Sequence, residues 1–171
     1  MRPREPFDLE AYTERTRHGP CFVCEFLSGN PEFHHHAVYE DDFAVAFLAQ
    51  VRDRHGVLTV PAFGYTLVVP REHRTEVTGD FTLDEYLRLQ AVVHRVAQAL
   101  RAELPTERIY VLSLGSRQGN AHVHWHLAAL PPGVPYEEQQ FHFLMAEHGV
   151  VRVTDGELAD LAARLRGRLS G

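Results

Sequence analysis

From residue 121 to residue 127 the chain alternates: His122, His124 and His126 take every second position, and Val123, Trp125 and Leu127 fill the places between. A strand has a side-chain period of two, so this spacing predicts three imidazoles on one face and three apolar side chains on the other. With a rise of about 3.3 Å per residue, successive histidine Cα atoms stand about 6.5 to 7 Å apart. That is too far to assume one shared metal ion. It is close enough for one ring to react while the next handles a proton or a charge. A second apolar run, residues 109–114, predicts a strand just before it, and Pro131-Pro132-Gly133-Val134-Pro135 ends the histidine strand.

Upstream, residues 37–39 and 43–48 flank Asp41-Asp42 as a hairpin, and residues 50–56 form a charged connector. Residues 57–60 and 65–69 predict further strands, the last stopped by Pro70 with His73 just beyond it, where a side chain can be aimed into a cleft. Thr82-Leu83-Asp84-Glu85 is a capping box, in which Thr and Glu satisfy free amides reciprocally. Tyr86, Leu89, Val92, Val93, Val96 and Leu100 follow at helical spacing, predicting one long amphipathic helix that ends before Pro105, with His94 an ordinary helix residue. Residues 141–145 predict a short helix or strand. Thr154 and Glu157 repeat the capping logic for a last helix with Leu158, Leu161, Leu165 and Leu169 on its apolar side.

A length of 171 residues suits one hydrophobic core. We divide it into a polar N-terminal arm (1–20), which Phe7, Leu9 and Tyr12 dock on the body or on a partner subunit, a central domain (21–150) and a C-terminal helix (151–171). Apolar residues make up 44% and charged ones 23%, and 17 basic against 23 acidic side chains leave a net charge of -6. That balance disfavours an extended nucleic-acid surface, which needs clustered Lys and Arg, and still allows a small anion held locally. No apolar run approaches the ~20 residues needed to span a bilayer, and no apolar signal core follows the N-terminus, so no membrane association and a cytoplasmic location are expected.

Cys21 and Cys24 stand two residues apart in a chain with no other cysteine. Three readings stay open: half of a metal site, a redox pair, or two small buried apolar side chains. The redox reading is the weaker for a pair that follows Pro20 in a turn without a βαβ pattern. Two thiolates do not fill a tetrahedral zinc shell, so a metal would need two further ligands, and histidine is the available type. His34-His35-His36 is read as exposed surface or local hydrogen bonding, because adjacent side chains alternate in direction and the run adjoins Asn30-Pro31-Glu32 in a loop.

At His122-Val-His124-Trp-His126-Leu-Ala the sequence resembles the histidine triad (HIT) superfamily. The likeness extends to Val38-Tyr39-Glu40-Asp41-Asp42, to Ala46-Phe47-Leu48, to Gly64-Tyr65-Thr66-Leu67-Val68-Val69-Pro70-Arg71-Glu72-His73 and to the Cys-x-x-Cys of many bacterial members. It implies an α+β fold, an antiparallel sheet of about five strands with a long packed helix and a C-terminal helix, usually as a homodimer. It also implies a nucleotide hydrolase or nucleotidyltransferase that cleaves a phosphoanhydride or phosphoramidate through a nucleotidyl-histidine intermediate, with a purine nucleotide the expected ligand. His124 would be the nucleophile, His126 would stabilise the phosphate, and Gln118 would lie near the leaving group. A structural zinc ion (Zn2+) would be held by Cys21, Cys24, His73 and His122. Such a zinc has no open position with which to activate water. A cationic His126 is expected to meet charge on the phosphoryl oxygens.

Three departures bear on substrate. Ala49 stands where an Asp commonly holds the ribose, Tyr65 stands where a His often assists at the phosphate, and residues 112–116 replace the usual Asn-x-Gly loop. The stretch 50–63 is also long, and Asp42, Asp53 or a backbone group of that loop is expected to hold the ribose instead. The alternative class is a catalytically weak, zinc-stabilised nucleotide-binding or protein-interaction module.

Overall fold

The computed structural model describes residues 2–116 and 120–170. In chain order its elements are α1 (Leu9–His18), α2 (Phe22–Leu27), β1 (His36–Glu40), β2 (Ala44–Leu48), β3 (Val51–Arg52), β4 (Leu58–Val60), β5 (Thr66–Pro70), α3 (Leu83–Glu103), β6 (Arg108–Ser113), β7 (Trp125–Leu130), α4 (Phe141–Leu144), β8 (Val151–Arg152) and α5 (Asp155–Leu169). Short 3-10 turns precede β1 and flank α4. The main sheet has five antiparallel strands in the order β1-β2-β5-β7-β6, and β3, β4 and β8 make a smaller one. The fold is α+β with a long helix and a C-terminal helix, as the resemblance implies.

Alternation along the strands gives the main sheet two apolar faces. Ala44, Ala46, Leu48, Val68, Val123, Trp125 and Leu127 pack against Leu89, Val93, Val96 and Leu100 of α3 and Leu158, Leu161 and Leu165 of α5. The opposite face presents Val45, Phe47, Leu67, Val69, Ala128 and Leu130, covered by α2 and by residues 134–145. Both capping boxes form, Thr82 with Glu85 and Thr154 with Glu157. Gly64, at φ +81°, turns the chain into β5; a Cβ there would come within 2.4 Å of Leu104 Cδ1 at the end of α3. Only glycine meets both demands without strain.

Three elements differ from the sequence-based expectation. The predicted histidine strand enters the ladder only at Trp125, because the Val123 amide donates instead to the carbonyl of Arg74 (2.7 Å). The predicted charged connector 50–56 carries the short strand β3, which pairs with β4 in the small sheet. The first twenty residues carry a ten-residue helix, α1, capped by Asp8 and tied to the body by a two-way backbone bridge between Glu5 and Val150 and by Asp8 with Arg54 (2.5 Å).

Candidate functional site

The four thiol and imidazole donors converge from three places. Cys21 caps α2 and Cys24 lies in its first turn, with the Cys24 amide donating to Cys21 Sγ at 3.5 Å. His73 follows the end of β5, and His122 precedes β7. Cys24 Sγ is 3.3 Å from His73 Nδ1, and both sulfurs are 3.8 Å from His122 Nδ1. All four donor atoms lie within 4.8 Å of one another. A tetrahedral zinc with Zn–S of about 2.3 Å and Zn–N of about 2.0 to 2.1 Å requires donors about 3.3 to 3.8 Å apart. The set therefore fits a structural zinc site.

Protonation supports the fit. His122 Nε2–H donates to the Pro70 carbonyl at 2.9 Å, which leaves the Nδ1 lone pair facing the sulfurs, and burial brings its pKa down to about 4. Burial and then the neighbouring Cys21 push the Cys24 thiol up to about 11, the reverse of what a redox thiolate needs. A metal cation beside it would bring the Cys24 sulfur to the thiolate that coordinates. The convergence of all four residues settles the reading of the cysteine pair in favour of the metal.

The other two triad imidazoles extend the row along the same sheet face. His124 is buried; its Nδ1–H donates to the His122 carbonyl at 2.6 Å, so Nε2 carries the free lone pair. Burial lowers its pKa, which keeps the ring neutral. Phe22 meets it edge to face at 5.8 Å, and Ser113 Oγ donates to the His124 carbonyl at 2.8 Å. The His126 ring stands 4.6 Å from that of His124. Its Nδ1 accepts from the Tyr65 hydroxyl at 3.1 Å, leaving Nε2–H directed at the Leu114 carbonyl at a long 3.4 Å. Burial, then His124, bring the His126 pKa down to about 4, so the ring is neutral near pH 7 and the expected cation is corrected to a neutral hydrogen-bond donor.

Gln118 lies outside the described residues. Asp42 binds Arg88 on the α3 face of the sheet, away from the triad, and the Asp53 carboxylate accepts from the His55 and Val57 amides of its own turn. Both carboxylates named for the ribose are thus engaged by groups of their own surroundings. His35, expected at the surface, is buried with its ring 5.4 Å from Phe26 and 4.8 Å from Phe47.

Sequence reasoning did not single out three further residues at the site. Tyr65 entered only as a departure, whereas it fixes the tautomer of His126. Tyr12 of α1 reaches across to share a side-chain hydrogen bond with Asn120, and burial raises its pKa. Gly115 leaves open the space beside His124: a Cβ there would stand 3.1 Å from the Asn120 carbonyl oxygen and 3.8 Å from His124 Cε1, the carbon next to Nε2. A glycine between two strands in the last loop before the histidines was the available signal.

No protein-family model matches the chain, and no curated protein matches it. Solved structures do. A hypothetical histidine triad nucleotide-binding protein from Sulfolobus tokodaii is 21% identical, with a TM-score of 0.63 over 88% of this chain and 92% of that one. A zinc-bound histidine triad family protein from Mycobacterium smegmatis is 22% identical, with a TM-score of 0.61 over 88% and 93%. A Hit-like protein from Bartonella henselae, involved in cell-cycle regulation and solved with an unknown ligand, is 19% identical, with a TM-score of 0.60 over 84% and 92%. The fold of this chain is thus the histidine triad fold, and within it the two cysteines, His73 and the three triad histidines lie together at one site.

Proposed function

We propose that the protein is a nucleotidyl hydrolase or transferase that opens a phosphoanhydride or phosphoramidate of a nucleoside, preferably a purine one, through an adduct on His124 Nε2. The observation that carries this reading is the 2.6 Å hydrogen bond from His124 Nδ1 to the His122 carbonyl, which leaves a neutral imidazole with its lone pair on the far nitrogen. That lone pair attacks phosphorus, and the bond to the leaving group breaks. Water or another acceptor then attacks the same phosphorus, the P–N bond breaks, and the electron pair returns to Nε2. His126 Nε2–H, held only weakly by Leu114, turns to a phosphoryl oxygen as charge builds there. Gln118 assists at the leaving group, and the subunits work as a homodimer.

The zinc, when bound, supplies a structural tie between α2 and the segment that leads into β7. Nucleotide binding named for the Sulfolobus neighbour supports the ligand class. The second reading, a zinc-stabilised module that binds nucleotides without turning them over, is favoured by Ala49 and by the engagement of Asp42 and Asp53 elsewhere. Turnover of a panel of dinucleoside polyphosphates and nucleoside phosphoramidates separates the two. The wild type is expected to turn over at least one of them, and His124→Ala to lose about a thousandfold or more in kcat while binding a nucleoside monophosphate as before. Wild-type binding without turnover across the panel would favour the module.

A further inference from the structure

The triad chemistry makes no use of the run His34 to His36. Alternation turns His35 inward beneath α2 and sends the other two rings outward, where they meet edge to face at 4.9 Å. There Asp155, the first residue of α5, brings Oδ1 to 2.9 Å from His36 Nε2. One nitrogen of each imidazole and one carboxylate oxygen all lie within 4.8 Å of one another.

An ordinary ion pair accounts for His36 and Asp155 but not for His34, whose ring makes no hydrogen bond among the described residues. Its backbone is nonetheless pinned. Gln50 Nε2 donates to the His34 carbonyl at 2.5 Å, and the His34 amide closes the turn onto Pro31. His36 is fixed by its register opposite Leu48, and Asp155 by the capping box that starts a fifteen-residue helix. Arg166 of the same helix donates to the Ala37 carbonyl at 2.7 Å, which holds α5 against β1. Three donors on rigid elements therefore point at one volume without any movement of the backbone.

We propose that His34, His36 and Asp155 form a second metal site, for a borderline divalent cation of the zinc, cobalt and nickel class. Two imidazoles and one carboxylate suit such ions, offer too few oxygens for calcium or magnesium, and lack the thiolates that soft ions select. Three protein ligands leave coordination positions for water or for an outside ligand. The exposure of His34 and Asp155 makes the site exchange with solvent, whereas the cysteine centre has its four positions filled by protein. Arg52 acts on the Asp155 carboxylate and the N-terminus of α5 adds partial positive charge, so the second site fills after the first. On binding, the cation displaces the hydrogen bond between His36 Nε2 and Asp155, and the imidazole carries its proton on Nδ1. The inference is independent of the nucleotide chemistry.

The test uses full-length protein carrying one zinc at the cysteine centre, titrated with cobalt(II) and followed by its visible d–d bands and by calorimetry. We expect one further equivalent to bind without thiolate-to-cobalt charge transfer, and His36→Ala and Asp155→Asn each to weaken that uptake at least tenfold while keeping the zinc. His34→Ala, on an exposed side chain, repeats the test where folding is not at stake. No uptake by the wild type, uptake unchanged in all three variants, or cobalt seen only with thiolate charge transfer would overturn the proposal.

Discussion

His122, His124 and His126 are one residue type at three successive alternate positions, and a single hydrogen bond decides what each can do. Pro70 takes Nε2–H of His122 and leaves Nδ1 for the metal; the His122 carbonyl takes Nδ1–H of His124 and leaves Nε2 for a substrate; Tyr65 donates to Nδ1 of His126 and leaves an Nε2–H donor. The face they share was legible from the alternation, but their tautomers depend on hydrogen-bond partners up to 61 residues away in the chain. The space beside His124 depends on Gly115 in the same way. Gly115→Ala should leave zinc content and folding intact and lower kcat by about tenfold or more, since a misplacement of about 1 Å at a reacting centre costs up to a hundredfold. Steady-state rates beside metal analysis check this, and an unchanged kcat would show that nothing passes there. His35 supplies a test in stability. Its ring is buried among Phe22, Phe26 and Phe47, its Nδ1 lacks a partner, and burial brings its pKa from 6.5 to about 4. A lowered native pKa means that the unfolded chain takes up the proton first, so this contribution is complete above pH 6.5 and is lost as the pH falls toward 4. At 1.36 kcal/mol per unit the loss is roughly 3 kcal/mol. Denaturant titrations at pH 7 and pH 4.5 should show a smaller acid loss in His35→Leu than in the wild type, and equal losses would contradict the assignment.

At the scale of elements, those specified by local chemistry were readable and those specified by distant partners were not. Thr82 with Glu85 and Thr154 with Glu157 announced both long helices, and Asp41-Asp42 between apolar runs announced the β1-β2 hairpin. The start of β7 was misread by four residues, because the amide of Val123 finds its acceptor in Arg74 rather than in a neighbouring strand. The arm was read as a polar segment docked by Phe7, Leu9 and Tyr12; Tyr12 does reach the body at Asn120, whereas no local pattern discloses the pairing of Asp8 with Arg54. Of these tertiary ties the cysteine centre should matter most, since it joins the six-residue α2, too short to be stable alone, to the segments after β5 and before β7. Cys24→Ser should lose the zinc and several kcal/mol of stability, because formation of such a site is coupled to folding. Metal analysis with thermal unfolding reads both quantities. Full zinc content in the variant, or wild-type protein purified without chelator and free of zinc, would contradict the site. Thr82→Ala should cost α3 about 1 kcal/mol without touching either metal content or rate.

Across the whole molecule the five-stranded sheet separates two jobs. One face gives its apolar side chains to α3 and α5 and makes the core; the other carries the imidazole row, roofed by α2 with Phe22 set against His124. One zinc ligand and the other two triad imidazoles therefore share one line, from His122 at the metal to His126 at the end nearest Tyr65. With a net charge of -6, the nucleotide of the proposed function would be attracted by hydrogen-bond donors at this line rather than by the surface as a whole. Under the proposed function, Ala49 and Tyr65 would alter the ribose and phosphate contacts, while His124 keeps Nε2 free for attack. The central claim is that turnover passes through a covalent bond to His124 Nε2. Rapid quench at alkaline pH, where phosphoramidates survive, followed by intact-mass measurement and peptide mapping during turnover, tests it most directly. One added nucleoside monophosphate on the peptide containing His124, absent from His124→Ala, is the predicted result; full turnover by His124→Ala, or an adduct mapped to another residue, would contradict it.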